Sequence, residues 1–203
     1  MRQIRLPVLA LVFALAGAPP AMALKPGEPV PAFTLQSSTG QEISLADYLG
    51  KYVVLEWLNH GCPYVKKHYK SGNMQKLQKR YTEKGVVWLS VISSAPGKQG
   101  HGSPEETEAQ RKARGSNASA VLIDESGAVG KKYGAKATPH MYVITPEGTL
   151  AYVGAIDDRP TTDLADVDGA KNYVADALDA LLAGKPVATS ATKAYGCSVK
   201  YAD

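Results

Sequence analysis

Cysteine is scarce in this chain: 203 residues contain two, Cys62 and Cys197, so one intramolecular pairing is available to them. Charge of one sign is also lacking. Twenty-three Lys and Arg stand against 19 Asp and Glu, a net +4, and two of those positive charges, Arg2 and Arg5, sit at the extreme N-terminus. No basic stripe with interleaved aromatics occurs, which excludes the usual nucleic-acid surface. No internal repeat and no low-complexity tract interrupts the sequence. Beyond the first two dozen residues no apolar run is long enough to cross a bilayer.

The N-terminal residues form a separate signal. Arg2 and Arg5 precede an apolar stretch from Leu6 to Ala16, and Ala21-Met22-Ala23 has the small-x-small pattern of a cleavage site. Residues 1–23 are therefore expected to be a secretory signal peptide. The alternative, an uncleaved membrane anchor, is opposed by Gly17, Pro19 and Pro20, which break the run. Export to a periplasm or to the outside follows, without stable membrane association after cleavage. An even cysteine count in an exported chain suggests that the two can pair.

Residues 24–184 read as one α/β domain and residues 185–203 as a C-terminal tail carrying Cys197. Short strands are expected at 32–35, 52–58, 86–92, 121–123, 141–144 and 149–153. The last two are joined by the turn Pro146-Glu147-Gly148. Helices are expected from Pro63 to about Lys84, from Pro104 to near Gly115, over 127–133 and over 173–182. A single helical turn is expected at 44–49. Ser103 followed by Pro104, Glu105 and Glu106 is a strong helix start, with an N-cap, a proline at N1 and acids in the first turn. Early strand–helix alternation argues for a parallel core with helices on both faces, and the late hairpin adds antiparallel strands. The expected fold is an α/β sandwich with a central mixed sheet.

The chemistry centres on Cys62. The near-continuous apolar run 52–58 predicts a strand buried on both faces, and Pro63 predicts a helix beginning directly after the cysteine. Cys62 would then be the N-cap, facing free backbone N–H groups and the positive end of the helix dipole. That field favours thiolate, the nucleophilic form of sulfur, and the nearby His60, Lys66, Lys67 and His68 add to it. Cys197, in the run Tyr195-Gly196-Cys197-Ser198, can serve as the thiol that resolves an oxidised or mixed-disulfide Cys62. Alternatively, a static Cys62–Cys197 bond staples the tail.

The apolar strand ending at Trp57 and followed by Cys62-Pro63, the tripeptide Ala137-Thr138-Pro139 before a strand, and a hairpin followed by a terminal helix occur in an order that resembles the thioredoxin-like superfamily. The lead-in Lys25 to Leu35 is similar to its redoxin branch, the peroxiredoxin-like, alkyl hydroperoxide reductase–thiol-specific antioxidant type. The resemblance implies a cis bond between Thr138 and Pro139 that sets the Thr138 backbone beside the reactive sulfur for pairing with a substrate chain. It also implies catalysis by Cys62, Cys197, Thr138 and Pro139, with a thiol or disulfide protein or a peroxide as partner. No cofactor and no metal is called for.

The departures are specific. Val65 stands where thioredoxins carry a second cysteine, Asn59 where peroxiredoxins carry threonine, and Arg159 is the arginine available after the hairpin. The leading expectation is an exported thiol–disulfide oxidoreductase. Its rivals are a thiol peroxidase and a non-enzymatic domain with a structural disulfide that binds copper or a partner. In that last reading His60, His68 and His140 would supply soft ligands, although Val65 and Lys66 deny it the paired loop cysteines.

Overall fold

The computed structural model describes residues 24–202; the expected leader, residues 1–23, lies outside them. The strands are β1 (Thr34–Ser37), β2 (Glu42–Ser44), β3 (Val53–Trp57), β4 (Val87–Ile92), β5 (Ala120–Ile123), β6 (Ala137–Thr138), β7 (His140–Ile144), β8 (Leu150–Gly154) and β9 (Cys197–Ser198). The helices are α1 (Pro63–Lys70), α2 (Asn73–Thr82), α3 (Pro104–Ala113), α4 (Ala128–Tyr133) and α5 (Tyr173–Leu182), with 3-10 turns at Leu45–Tyr48 and Ala165–Val167.

Seven strands form one sheet in the order β2-β1-β5-β4-β3-β7-β8. Its centre is parallel, β3 with β4 and β4 with β5. Its flanks are antiparallel, β3 with β7, β7 with β8, β1 with β5 and β1 with β2. The sheet is thus mixed, with β3 at the junction between the two regimes.

Side-chain alternation along β3 and β4 divides the interior. Val53, Leu55 and Trp57 join Val87, Leu89 and Val91 on one face, against Val129 and Tyr133 of α4. Val54 and Leu58 join Trp88 and Ile92 on the other face. There they meet Val65 and Tyr69 of α1, Met74, Leu77 and Tyr81 of α2, and Val174, Ala177 and Leu178 of α5. Helices therefore cover both faces, and β3 is buried along its whole length. Each fully buried side chain of this size contributes about 1.5–3 kcal/mol.

The long helix expected from Pro63 to Lys84 is two helices. Gly72 adopts φ +74, a left-handed conformation, and serves as the N-cap of α2. Glycine in a helix interior costs about 1 kcal/mol and reaches this region freely, so the chain breaks there. The start at Ser103 is as expected. Its side chain accepts from the Glu106 amide, the Glu106 carboxylate accepts from the Ser103 amide, and Pro104 opens the helix. Outside the expectation lie β2, which pairs with β1, the 3-10 turn at Ala165–Val167 and the two-residue ladder of β6 with β9. Among the described residues no helix is long and apolar enough to cross a membrane.

A carboxyl group sits inside this frame. Glu56 of β3 is fully buried and accepts hydrogen bonds from Trp88 Nε1 (2.9 Å), Tyr69 Oη (3.0 Å), Gln78 Nε2 (3.1 Å) and Ser90 Oγ (3.1 Å). Burial raises its pKa, and the four donors oppose that rise. Glu56→Leu keeps the volume but strands several buried donors, each costing about 1–3 kcal/mol when unmet. A loss of roughly 3–5 kcal/mol is expected, read as a fall in the urea midpoint at constant m.

Candidate functional site

Cys62 lies between the end of β3 and the start of α1. Asn59 shapes the approach: its side-chain oxygen accepts from the Gly61 amide (2.8 Å) and its side-chain nitrogen donates to the Gln99 carbonyl (2.7 Å). The Cys62 amide donates to the Asn59 carbonyl, and the Cys62 carbonyl accepts the first helical bond from Lys66. Cys62 is the N-cap of α1, with Pro63 at N1, as its sequence context predicts.

The Cys62 sulfur lies 3.1 Å from the Thr138 carbonyl oxygen and 2.8 Å from the Cys197 sulfur. Both cysteines are free. The Thr138–Pro139 bond is cis, and Thr138 pairs with Cys197 across the β6–β9 ladder. The four residues singled out from sequence, 135 positions apart at their extremes, are thus adjacent. Cys62 has no solvent exposure, whereas Cys197 is partly exposed.

The ladder depends on Gly196. Its φ is +133, and a Cβ there would lie 2.0 Å from the Thr138 carbonyl oxygen. Only a residue without a side chain lets the tail come this close.

The two thiols are pushed in opposite directions. Burial raises the pKa of Cys62. Hydrogen bonds from the Cys197 thiol, from Thr138 and from the Val65 and Cys197 amides outweigh burial, so the net direction is downward. Cys197 is pushed up to about 11, by burial first and then by its hydrogen bond and charge interaction with Cys62. The Val65 amide is one of the free N–H groups of the first helical turn, so the helix N-terminus contributes as expected.

Of the groups expected around the sulfur, Lys66 is exposed, and Lys67 and His68 are engaged elsewhere. Lys67 is buried, donates to the Arg159 carbonyl (2.7 Å) and lies 5.6 Å over the Tyr195 ring. His68 faces Tyr195 and Asp157. The Arg159 guanidinium pairs with Asp158 (3.6 Å). Sequence reasoning missed Arg114, whose guanidinium donates to the His60 carbonyl in the cysteine loop. The three histidines weighed as soft ligands have separate surroundings. The His60 ring nitrogens are buried without a protein partner, and the His140 ring lies tilted against that of Tyr142, 4.6 Å between centroids. Among the described residues no three His, Cys, Asp or Glu side chains are grouped to hold a metal.

The sequence model of the AhpC/TSA family matches residues 26–153, a span that holds the cysteine loop and the cis-proline turn. The chain belongs to the AhpC/TSA family. This family match ends before the tail, so Cys197 and its neighbours lie outside it. The thioredoxin-like protein YneN of Bacillus subtilis is 26% identical over 150 residues, 71% of this chain and 81% of YneN. A crystal structure of a conserved protein from Geobacillus kaustophilus superposes with a TM-score of 0.78 at 27% identity, covering 88% of this chain and 93% of that one. The thioredoxin domain of the thiol-disulfide oxidoreductase BVU-2223 from Bacteroides vulgatus superposes with a TM-score of 0.54 at 21% identity, over 72% and 96% of the two chains. At that identity the likeness is one of fold. This AhpC/TSA member therefore has a thioredoxin-like fold, with a tail cysteine placed opposite the loop cysteine.

Proposed function

We propose that this protein is an exported thiol–disulfide oxidoreductase of the redoxin type, in which Cys62 is the nucleophile and Cys197 the resolving thiol. The observation that carries the reading is the 2.8 Å separation of two free sulfurs with opposed pKa shifts. A thiolate beside a protonated thiol is the arrangement that thiol–disulfide exchange needs, since the thiolate attacks and a low-pKa thiol leaves readily. The Cys62 thiolate attacks a partner disulfide, forming a mixed disulfide and releasing one partner thiolate. Cys197, once deprotonated, attacks the Cys62 sulfur, releases the second partner thiol and closes Cys62–Cys197. The partner is thereby reduced by two electrons. Thr138 and Pro139 frame the exchange: the Thr138 carbonyl lies 3.1 Å from the Cys62 sulfur, and the β6 backbone, paired with β9 in this arrangement, is where an extended partner chain would pair once the tail moves aside.

The same couple runs in either direction, according to the potential of what it meets. Export rests on the N-terminal leader, and compartments that permit disulfides suit a pair of this kind. Residues 24–184 form the working domain in this reading and residues 185–203 a reactive arm. The peroxidase alternative finds less support. Asn59 commits its side-chain amide to loop backbone, and the Arg159 guanidinium is engaged by Asp158.

The test follows the cysteines by mass. The reduced full chain is expected to reduce a small-molecule disulfide without peroxide and to end with Cys62 joined to Cys197. Cys62→Ser is expected to be inactive, and Cys197→Ser to stall as a mixed disulfide on Cys62. Consumption of hydrogen peroxide with no disulfide exchange would replace this reading by the peroxidase one. Neither activity, with Cys62 unmodified, would remove both.

A further inference from the structure

Tyr195 lies two residues before Cys197, so in the extended tail both side chains point the same way, toward α1. Cys197 meets the N-cap of that helix. Tyr195 meets it about a turn and a half further along, where Tyr64, Lys67 and His68 present a joint surface. The rings of Tyr64 and Tyr195 are 5.8 Å apart, and the Lys67 ammonium lies over the Tyr195 ring.

The Tyr195 hydroxyl is the centre of a directional hydrogen-bond chain. Asn73 Nδ2 lies 2.9 Å from His68 Nδ1; an amide donor there leaves the histidine proton on Nε2. His68 Nε2 lies 3.2 Å from Tyr195 Oη. Tyr195 in turn donates to Asp157 Oδ1, which also accepts from the Arg159 amide. Asp157 and His68 are both fully buried. By contrast, grooves of about 580 and 450 Å³ flank the tail here, both lined by Thr192, Lys193, Ala194 and Tyr195. The stretch before Cys197 is therefore open on its sides, and the half-buried Tyr195 side chain is its anchor.

We propose that Tyr195 is a positioning residue for the sulfur pair: through His68 and Asp157 it fixes the tail's register on α1 and so sets the effective concentration of Cys197 at Cys62. This rests on the exchange reading given above. Three consecutive residues divide the work. Tyr195 anchors, Gly196 permits close approach to Thr138, and Cys197 presents the sulfur. An intramolecular thiol is favoured over a free one in proportion to how far its freedom is already restricted. Loosening the anchor weakens closure without touching either sulfur.

The test equilibrates the full chain with glutathione buffers of graded potential and counts the Cys62–Cys197 bond by mass after acid quench. Tyr195→Phe keeps the ring contacts and removes the hydroxyl. It is expected to lower the closure constant about tenfold, the scale of one hydrogen bond to a charged group, which is about 30 mV for a two-electron couple. Asp157→Asn is expected to act similarly, and the double variant to add little to either alone, because the two remove one interaction. A wild-type closure constant retained in Tyr195→Phe, even with a lower melting temperature, would overturn the positioning role and leave the exchange reading intact. A wild-type chain that forms no Cys62–Cys197 bond at any potential would remove both.

Discussion

Gly196→Ala is expected to separate the two sulfurs while leaving the main sheet folded. The added methyl would have to sit 2.0 Å from the Thr138 carbonyl oxygen and 2.7 Å from its carbon, both backbone atoms, so no rotamer change relieves it. The φ of +133 adds a conformational cost of order 1–3 kcal/mol. The β6–β9 ladder has two residue pairs and cannot absorb such a cost, so the tail should leave β6. Closure of Cys62 with Cys197 is expected to slow by roughly a hundredfold, since each 1.4 kcal/mol is about a factor of ten. Cys62, unexposed in the native arrangement, should at the same time become open to alkylation. Stopped alkylation at fixed pH, with Cys197→Ser as a control that removes the second sulfur, separates these effects. A Gly196→Ala chain that closes at the wild-type rate would show that the tail has another way onto the loop.

The second large effect is acid sensitivity. Burial, followed by the nearby charges of Arg114, Lys67 and Lys136 respectively, lowers the pKa of His60 and His68 to about 3 and of His140 to about 4. The ordinary value is 6.5. The folded chain keeps these three rings neutral where the unfolded chain protonates them. The unfolded state therefore binds more protons, and stability falls as pH falls. No cost arises above pH 6.5, and below it stability falls progressively, toward pH 4 for His140 and about pH 3 for His60 and His68. With three protons the slope approaches about 4 kcal/mol per pH unit in the middle of that window. Glu56 opposes part of it. Its raised pKa favours the fold at low pH and disfavours it as pH rises above its ordinary value, one proton against three. Urea unfolding at pH 7.5, 6, 5 and 4.5 should show the midpoint dropping steeply. A flat midpoint from pH 7 to 5 would mean that the histidines reach solvent in the fold.

These expectations draw unequally on the sequence. Helix α5 and the start of α3 were legible because capping and periodicity are local: Asn172 and Ser103 cap through bonds within three residues. Strand β3 was legible because a run buried on both faces carries no alternation. The single helix drawn across 71–73 overran because amphipathic spacing continues through Gly72, and its left-handed backbone was the missed signal. The β6–β9 ladder could not be seen at all. Two-residue strands have no period, and their pairing spans about sixty positions. The sequence paired Cys62 with Cys197 but could not show the ladder that holds the tail beside the loop. Lys67 and His68 were assigned to the sulfur by proximity along the helix, and the three-dimensional partners, Arg159, Tyr195 and Asp157, lie around a hundred residues away. One signal was available and unused: a lone acid, Glu56, inside the apolar run of β3.

The tail has one more neighbour. On its way to β9 it runs beside β8, the last strand of the sheet. The Val153 amide donates to the Ser190 carbonyl, and the Val153 carbonyl accepts from the Thr192 amide. A bare outer strand is a template on which a second molecule can build. The segment that carries Cys197 to the loop thus also covers part of the margin of the sheet, and freeing it would expose that strand together with Cys62.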